Sequence, residues 1–187
     1  LHSTASDGSF TSVEILALAK EAGVQAISIT DHDTIDGIKQ ILKNPLPTTP
    51  EVITGVEISC EPPHQFKDVG SVHLLGYGFS VYDKKLNAIL EKAKASRIQR
   101  NPEIIKKLNS LGFDISMAQV EQRFGADQTG RPHIAELMKE LGYVQTFREA
   151  FDKFLGKDKP AYVDKYKVSC KEAIEIILNA GGIPVLA

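Results

Sequence analysis

The stretch ITDHDTIDG runs from Ile29 to Gly37 and places polar residues directly after an apolar run with strand character. Burying Asp31, His32 and Asp33 at consecutive positions costs free energy unless groups of opposite charge lie among them. Because functional sites of α/β folds are assembled where strands end, this stretch predicts a site at the end of a strand. An alternative is that Asp33 simply caps the helix that follows it.

Composition and charge exclude several classes of protein. A hydrophobic fraction of 42% and a charged fraction of 25% are ordinary for a globular protein. The net charge of -2 gives no general attraction to nucleic acid or to an anionic membrane, so we expect no long duplex nucleic acid as a partner. No apolar run reaches the roughly 20 residues of a membrane helix. Cys60 and Cys170, far apart in the sequence, favour a reduced, cytoplasmic protein. The sequence does not indicate an oligomeric state.

The order of predicted elements indicates an α/β protein. Helices and strands alternate over residues 1–81, helical patterns alone fill residues 82–165, and a helix and a strand return over residues 166–187. Pro45 is expected to end one helix, and Pro102 is expected to separate two helices. This order predicts a parallel α/β barrel or sheet with a helical insertion.

Further residues of metal-ligand type occur at strand ends, in a loop and at a helix start. They are His2, Asp7, Glu57, His73 and His133. Glu57 lies in the middle of the apolar strand GVEIS, where a buried carboxylate needs a cation or many hydrogen-bond donors. Each has an alternative role, since His73 fits a satisfied core histidine and Glu57 fits a lysine pair. Together, His, Asp and Glu ligands without cysteine suit Zn²⁺, Mn²⁺ or Fe²⁺.

Several motifs, taken in order, resemble one family. They are HSTASDGSFTSVEILALAKEAGVQAISITDHDTIDG, GVEIS, VHLLGY, GRPHIA and AGGIPVLA. This pattern resembles the PHP (polymerase and histidinol phosphatase) metal-dependent phosphoesterases, in particular the stand-alone branch that acts on nucleotides and RNA ends. The resemblance implies a distorted (β/α)7 barrel with a helical insertion beside a three-metal site. It also implies that the first strand and the C-terminal part of the barrel lie outside these residues.

The resemblance assigns roles residue by residue. The implied metal ligands are His2, Asp7, His32, Glu57, His73 and His133. Glu57 would bridge two ions, and the carboxylates of Asp31 and Asp33 would orient ligand imidazoles or hold water. A histidine immediately before Leu1, a His-Pro pair after VLA and a later Asp-x-His pair would complete the set outside this sequence.

Such a site predicts the hydrolysis of phosphate esters without a nucleophilic side chain. Divalent ions about 3.5–4 Å apart hold a hydroxide at about neutral pH and neutralise phosphate oxygens. We expect nucleotide substrates such as 3',5'-bisphosphonucleotides, or short oligonucleotides. Arg131 adjoins the ligand candidate His133 and is predicted to clamp a non-reacting phosphate, with Arg97 and Arg100 as weaker candidates.

Two alternative functions remain open at this stage. One is a 5'-3' exonuclease on short RNA, although the mild acidity favours small substrates because long strands need a basic track. The other is a non-catalytic PHP-like binding module. The six ligand-type positions argue against that module.

Overall fold

The computed structural model describes residues 1–43, 50–69, 72–125 and 129–187. The predicted helix end at Pro45 lies outside the described residues. The chain divides into two compact units. The first unit comprises Leu1–Lys94 together with Lys167–Ala187, and the second comprises Ala95–Tyr166. Within the described ranges, no helix combines the length and the apolar character needed to cross a membrane.

The first unit is a mixed α/β structure. Its strands are β1 (Ala26–Ser28), β2 (Glu51–Ile53), β3 (Gly55–Glu61), β4 (Val72–Tyr77), β5 (Val168–Ser169) and β6 (Ile183–Leu186). Its helical elements are α1 (Ser12–Glu21), α2 (Asp36–Leu42), a 3₁₀ turn (His64–Val69), the beginning of α3 (Lys84–Ser110) and α7 (Cys170–Asn179). Strands and helices thus alternate here, as the sequence predicts.

The strands pair in two groups. β1 lies parallel to β2, and a bridge between His32 and Glu57 continues this parallel pairing beyond β1. The second group has the order β5-β3-β4-β6, with β3 and β4 antiparallel. The prediction of parallel strands is wrong for this pair, because the connection from Glu61 to Val72 is shorter than the dozen or more residues of a parallel crossover. The described strands form two sheets and not a closed barrel.

Strand β3 is the central element of the first unit. Every residue from Gly55 to Cys60 is buried, as expected for a strand that is covered on both faces. Glycine at position 55 allows a close approach, since a Cβ there would collide with the hydroxyl of Ser28. The burial of β3 leaves Glu57 as a carboxylate inside the fold, where its neighbours determine its role.

The second unit is helical. After α3 it contains α4 (Met117–Phe124), α5 (Arg131–Glu140), α6 (Phe147–Ala150) and a π-helical turn (Phe151–Leu155). The predicted break at Pro102 is wrong, since α3 continues through this residue. Proline removes one helical hydrogen bond and tends to kink or end a helix. The apolar side chains of Ile104 and Leu108 that follow it are fully buried, and their packing outweighs that loss.

Candidate metal centre

Five of the six predicted ligands converge in the first unit. They are His2, Asp7, His32, Glu57 and His73. His2 and Asp7 come from the turn before α1, and His32 follows β1. Glu57 lies on β3 and His73 on the neighbouring β4. Ser59, which is two residues after Glu57 and therefore on the same face of β3, lies opposite His73 in the register. Four separate segments of the chain therefore supply one cluster.

Glu57 lies at the centre of this cluster. Its Oε1 is 2.6 Å from Nδ1 of His73 and 3.7 Å from Nδ1 of His32. Its Oε2 is 3.1 Å from Nε2 of His2. All ion-pair partners of Glu57 within the described part of the chain are thus histidines, and the alternative of a lysine pair is wrong.

Asp7 closes the cluster on the other side. Its carboxylate oxygens lie 3.6 Å from Nδ1 of His2 and 3.8 Å from Nε2 of His32. The rings of His2 and His32 stack with centroids 4.5 Å apart, and His73 meets His32 edge-on at 5.0 Å. The imidazoles of His2 and His32 are therefore packed between two carboxylates, and that of His73 contacts Glu57.

The donor set fits a divalent metal ion. Nδ1 of His2 is buried and has no hydrogen-bond partner among the described residues, which is costly for a ring nitrogen. One nitrogen or oxygen atom from each of His2, His32 and Glu57 lies within 4.8 Å of the others, so a single ion can contact all three. Imidazole and carboxylate ligands without thiolates are those of Zn²⁺, Mn²⁺ or Fe²⁺ sites.

The protonation states of Glu57 and His32 suit a metal centre, whereas His2 must first lose the proton that its raised pKa favours. Burial alone would raise the pKa of Glu57, but hydrogen bonds from His2 and His73 outweigh burial and hold that pKa well below its usual range. The hydrogen bond to Glu57 raises the pKa of His2. Burial lowers the pKa of His32, so that its ring tends to be neutral and keeps a lone pair. Metal binding needs such ionised carboxylates and neutral imidazoles.

Asp33 anchors the loop that carries His32. Its carboxylate accepts hydrogen bonds from the backbone N–H of Ser59 at 2.7 Å and from the Ser59 hydroxyl at 2.9 Å. Its backbone adopts a left-handed conformation with φ of 55°, which aspartate tolerates better than most residues. The alternative role as a helix cap is wrong, because Ile35 occupies the N-cap of α2 without a side-chain hydrogen bond.

Asp31 is almost fully buried beside the cluster. Its carboxylate accepts hydrogen bonds from Ser3 and Ser6 rather than from an imidazole of the described chain. Sequence reasoning missed these serines and Ser59. The available signal was a small hydroxyl residue directly beside a ligand candidate in HSTASD, where Ser3 follows His2 and Ser6 precedes a second ligand candidate.

His133 belongs to the second unit, at the third position of α5. The backbone N–H of Gly130 donates a hydrogen bond to its Nδ1 at 3.0 Å, and its ring lies 5.0 Å from that of Phe124. A nitrogen that accepts a hydrogen bond carries the lone pair, so the neutral ring holds its proton on Nε2. Its role as a ligand stays a prediction.

Arg131 starts the same helix and is partly held by its own unit. Nη1 donates a hydrogen bond to the carbonyl of Leu155 at 3.1 Å, and the guanidinium lies 5.2 Å from the ring centroid of Tyr162. Burial lowers the pKa of Arg131, although an arginine stays cationic at any physiological pH. A guanidinium has five N–H donors, so this single hydrogen bond leaves donors for an anion.

Arg97 and Arg100 lie on α3 within the second unit. Arg100 is buried and donates a hydrogen bond from Nη2 to Oδ1 of Asn101 at 2.9 Å. Asn101 in turn donates to the carbonyl of Thr129 at 2.7 Å. Because these contacts hold Arg100 inside its unit, it is a weaker phosphate ligand candidate than Arg131.

Together, the mixed α/β fold and the histidine-carboxylate cluster define a protein with a candidate site for divalent metal. The PHP domain family matches residues 1–178. The chain therefore belongs to the PHP domain family, which confirms the resemblance seen in the motifs.

Two curated relatives align with the whole chain. A 5'-3' exoribonuclease of Haemophilus influenzae is 34% identical over 186 residues, and the alignment covers 66% of that protein. A 3',5'-nucleoside bisphosphate phosphatase of Chromobacterium violaceum is 27% identical over 190 residues, with 64% of it covered. The chain thus spans about two thirds of the length of the curated relatives it matches.

A solved structure agrees with this membership. The crystal structure of a protein from Bifidobacterium adolescentis, described as a metal-dependent phosphoesterase, superposes with a TM-score of 0.85 at 26% identity. The superposition covers 99% of this chain and 64% of that one. The mixed α/β architecture is therefore that of PHP phosphoesterases.

Proposed function

We propose that the protein is a metal-dependent hydrolase of phosphate esters, acting on nucleotides such as 3',5'-bisphosphonucleotides or on short oligonucleotides. The observation that carries this proposal is the cluster around Glu57, where His2 has a buried Nδ1 without a hydrogen-bond partner among the described residues. The names of the two relatives, a bisphosphate phosphatase and an exoribonuclease, support the class of substrate.

The proposed cofactors are divalent ions of manganese, zinc or iron, three per site as the family resemblance implies. The proposed ligands are His2, Asp7, His32, Glu57, His73 and His133. When bound, such ions activate water and neutralise the charge of the phosphate. Glu57, with contacts from both carboxylate oxygens, is the residue best suited to bridge two ions. A ligand role for Nδ1 of His133 requires the loss of its hydrogen bond from Gly130.

The protein's own side chains would set up the reaction around these ions. The carboxylates of Asp7 and Glu57 balance the cationic charge, and the imidazoles supply neutral nitrogen ligands. Arg131 would bind a non-reacting phosphate through two N–H groups, with Arg97 and Arg100 in lesser roles. These residues belong to the range 82–165, which we propose is an insertion in a distorted (β/α)7 barrel.

A second candidate function is a 5'-3' exonuclease on short RNA. The relative with 34% identity bears that name, which is the specific observation in its favour. The two activities differ in their products, because a bisphosphate phosphatase releases inorganic phosphate whereas an exonuclease releases mononucleotides. Product analysis with a 3',5'-bisphosphonucleotide and with a short 5'-phosphorylated RNA distinguishes them. No turnover of either substrate by the metal-loaded protein would favour the non-catalytic binding module.

We place this activity in the cytoplasm, with the substrate as the proposed partner. A chain with Cys60 and Cys170 as its two cysteines, both free thiols in the structure, suits a reducing compartment. Neither a membrane nor a long duplex nucleic acid forms part of the proposal.

His32→Ala tests the proposed function. We expect metal content to fall and phosphate release to drop by more than about 100-fold, because even residues that only orient a ligand typically contribute 10–100-fold. His64→Ala is the matched control, since His64 is an exposed histidine on the 3₁₀ turn and should keep normal metal content and turnover. Near-normal phosphate release by His32→Ala in metal-replete buffer would contradict the proposal.

A further inference from the structure

Asp31 contacts both ends of the turn that carries two of the proposed ligands. Its Oδ1 accepts hydrogen bonds from the backbone N–H of Ser3 at 2.6 Å and from the hydroxyl of Ser6 at 2.8 Å. Its Oδ2 accepts a hydrogen bond from the hydroxyl of Ser3 at 2.7 Å. Ser3 directly follows His2, and Ser6 directly precedes Asp7. A single carboxylate therefore holds the immediate neighbours of both ligands.

The surroundings of Asp31 make this arrangement rigid. Asp31, Ser3 and Ser6 are at most 2% exposed, so that water does not compete for their hydrogen bonds. The turn is tightened further, since the N–H groups of Ser6 and Gly8 both donate to the carbonyl of Ser3, at 3.0 and 2.9 Å. Charge-assisted hydrogen bonds in such a site are stronger than those between neutral groups.

The carboxylate of Asp31 packs closely against the backbone at Gly37. A Cβ at Gly37 would collide with Oδ2 of Asp31 and would approach the hydroxyl of Ser3 to 2.6 Å. A Cβ at Gly8 would collide with the carbonyl oxygen of His2. Glycine at position 37 thus permits the close approach of Asp31 to the turn, and glycine at position 8 permits the turn to close on itself.

We propose that Asp31 is a positioning residue, whose carboxylate fixes the segment from Ser3 to Ser6 so that His2 and Asp7 face His32 in a geometry ready for a divalent cation. Asp31 acts through the two serines and touches neither the ion nor the substrate. This inference rests on the proposed metal-dependent function. The buried charge of Asp31 would preorganise His2 and Asp7. This preorganisation lowers the free-energy cost of ordering the two ligands when the ion binds.

Calorimetric titration with Mn²⁺ tests the inference in Asp31→Ala, Asp31→Asn and Ser6→Ala. We expect Asp31→Ala to weaken Mn²⁺ binding by about 10–100-fold, as for residues that orient metal ligands. Asp31→Asn keeps an oxygen that can accept from Ser3 and Ser6, so it should recover part of this loss. Ser6→Ala leaves the charge of Asp31 in place and removes one hydrogen bond, with an expected loss of about threefold to tenfold.

Ser12→Ala is the matched control for Ser6→Ala. The Ser12 hydroxyl is also buried and donates a 2.8 Å hydrogen bond, but to Gln40 on α2. The two variants should lose similar thermal stability, and only Ser6→Ala should lose affinity for Mn²⁺. Equal Mn²⁺ affinity in both variants would overturn the positioning role, even if Asp31→Ala fails to fold.

A measurement without metal separates this inference from the proposed function. In the metal-free protein, amide hydrogen exchange of the turn around Ser6 should accelerate in Ser6→Ala and Asp31→Asn but not in Ser12→Ala. If the unaltered protein binds no divalent ion while this acceleration is seen, the proposed function fails and the ordering of the turn by Asp31 stands. Unchanged exchange in Ser6→Ala and Asp31→Asn would overturn the positioning role.

Discussion

The two units of the chain bury charges of opposite sign. Among the described residues, the buried charged side chains of the first unit are Asp31, Asp33 and Glu57, whereas that of the second unit is Arg100. Arg131, also in the second unit, has a largely desolvated guanidinium. Buried acids suit cations and buried guanidinium groups suit anions. A phosphoesterase that uses metal ions needs both kinds of site.

The three buried acids of the first unit also differ from each other. Asp31 and Asp33 are surrounded by hydroxyl and backbone N–H donors, which satisfy a carboxylate without any ion. Glu57 is surrounded by imidazoles, which are themselves ligands for metal. The neighbours of a buried carboxylate, more than its burial, therefore distinguish a structural anchor from a candidate metal ligand.

Glu57→Ala should have the largest effect, and it tests the first unit's part in the comparison. We expect metal binding to be lost and phosphate release to fall by well over about 100-fold, because a group that touches the ion contributes more than one that orients it. Glu61→Ala is the matched control, since Glu61 is an exposed glutamate at the end of the same strand. Metal analysis and phosphate release are the measurements. Near-normal turnover of Glu57→Ala in metal-replete buffer would show that Glu57 is an anchor like Asp33.

Leu108→Ala tests the second unit as a separate source of stability. Leu108 is fully buried in an apolar cluster, so its truncation should lower the free energy of unfolding by about 2–5 kcal/mol. The cluster comprises Ile104, Ile105, Leu108, Ile115, Val120, Ile134, Ala135, Leu137, Met138, Val144, Ala150, Leu155 and Ala161. Urea denaturation measures this loss, and metal affinity at temperatures well below unfolding should stay unchanged.

Leu111→Ala is the control for that experiment. Leu111 follows the end of α3 and is 45% exposed, so its truncation should change the free energy of unfolding by no more than about 0.5 kcal/mol. If Leu108→Ala weakened metal binding as strongly as it lowered stability, the five ligand candidates of the first unit would not bind the ion independently of the packing of the second unit.

The candidate metal cluster could be predicted because its residues follow local patterns. Asp31, His32 and Asp33 directly follow an apolar run, and Glu57 interrupts another, so that each position is unusual in the sequence itself. The rule that sites form where strands end applies to His32. His2 and Asp7 lie in the turn before α1, after no described strand, and only the family motifs indicated them. Family motifs then supplied the individual roles.

The errors concern interactions between distant residues. The antiparallel pairing of β3 and β4 depends on a connection that is too short for a crossover, although each strand is visible in the sequence. The helix through Pro102 depends on the burial of Ile104, which no local signal reveals. The bonds of Ser3 and Ser6 to Asp31 join residues more than 20 positions apart, so serine identity alone did not indicate them.

Arg131→Ala tests the anion side of the comparison. If Arg131 binds a non-reacting phosphate, the variant should lose about 1.5–3 kcal/mol of binding to a bisphosphonucleotide, as for a hydrogen bond to a charged group. An aryl phosphate with a single phosphate should be affected far less. Steady-state kinetics on both substrates give the comparison, with Arg148→Ala, an arginine on α6 that is highly exposed, as the control.

Equal losses on both substrates would give Arg131 a different role. Its hydrogen bond to the carbonyl of Leu155 and its contact with Tyr162 already tie it to the second unit. A loss that is independent of the second phosphate would therefore indicate that Arg131 stabilises the helical unit. The second unit would then offer no cationic phosphate site to compare with the acidic candidate metal site of the first unit.

The smallest expected effect compares one helix cap from each unit. Thr11 caps α1 and Ser116 caps α4, each accepting a hydrogen bond from the backbone N–H of the third helical residue. Each hydroxyl also donates to that residue's side chain, which is the carboxylate of Glu14 at 2.8 Å and the amide of Gln119 at 3.0 Å. Replacing either cap by alanine should lower the free energy of unfolding by about 1 kcal/mol.

The two caps should differ in their dependence on pH. Hydrogen bonds from the backbone N–H and hydroxyl of Thr11 lower the pKa of Glu14. A carboxylate with a lowered folded-state pKa contributes stability above its ordinary pKa and loses it as pH falls through the folded value. The penalty of Thr11→Ala should therefore be smaller at about pH 3.5 than at pH 7, whereas that of Ser116→Ala should stay constant because Gln119 does not titrate. Denaturation at both pH values measures the difference, and equal pH dependence of the two penalties would show that the charge of Glu14 adds nothing to its hydrogen bond from the Thr11 hydroxyl.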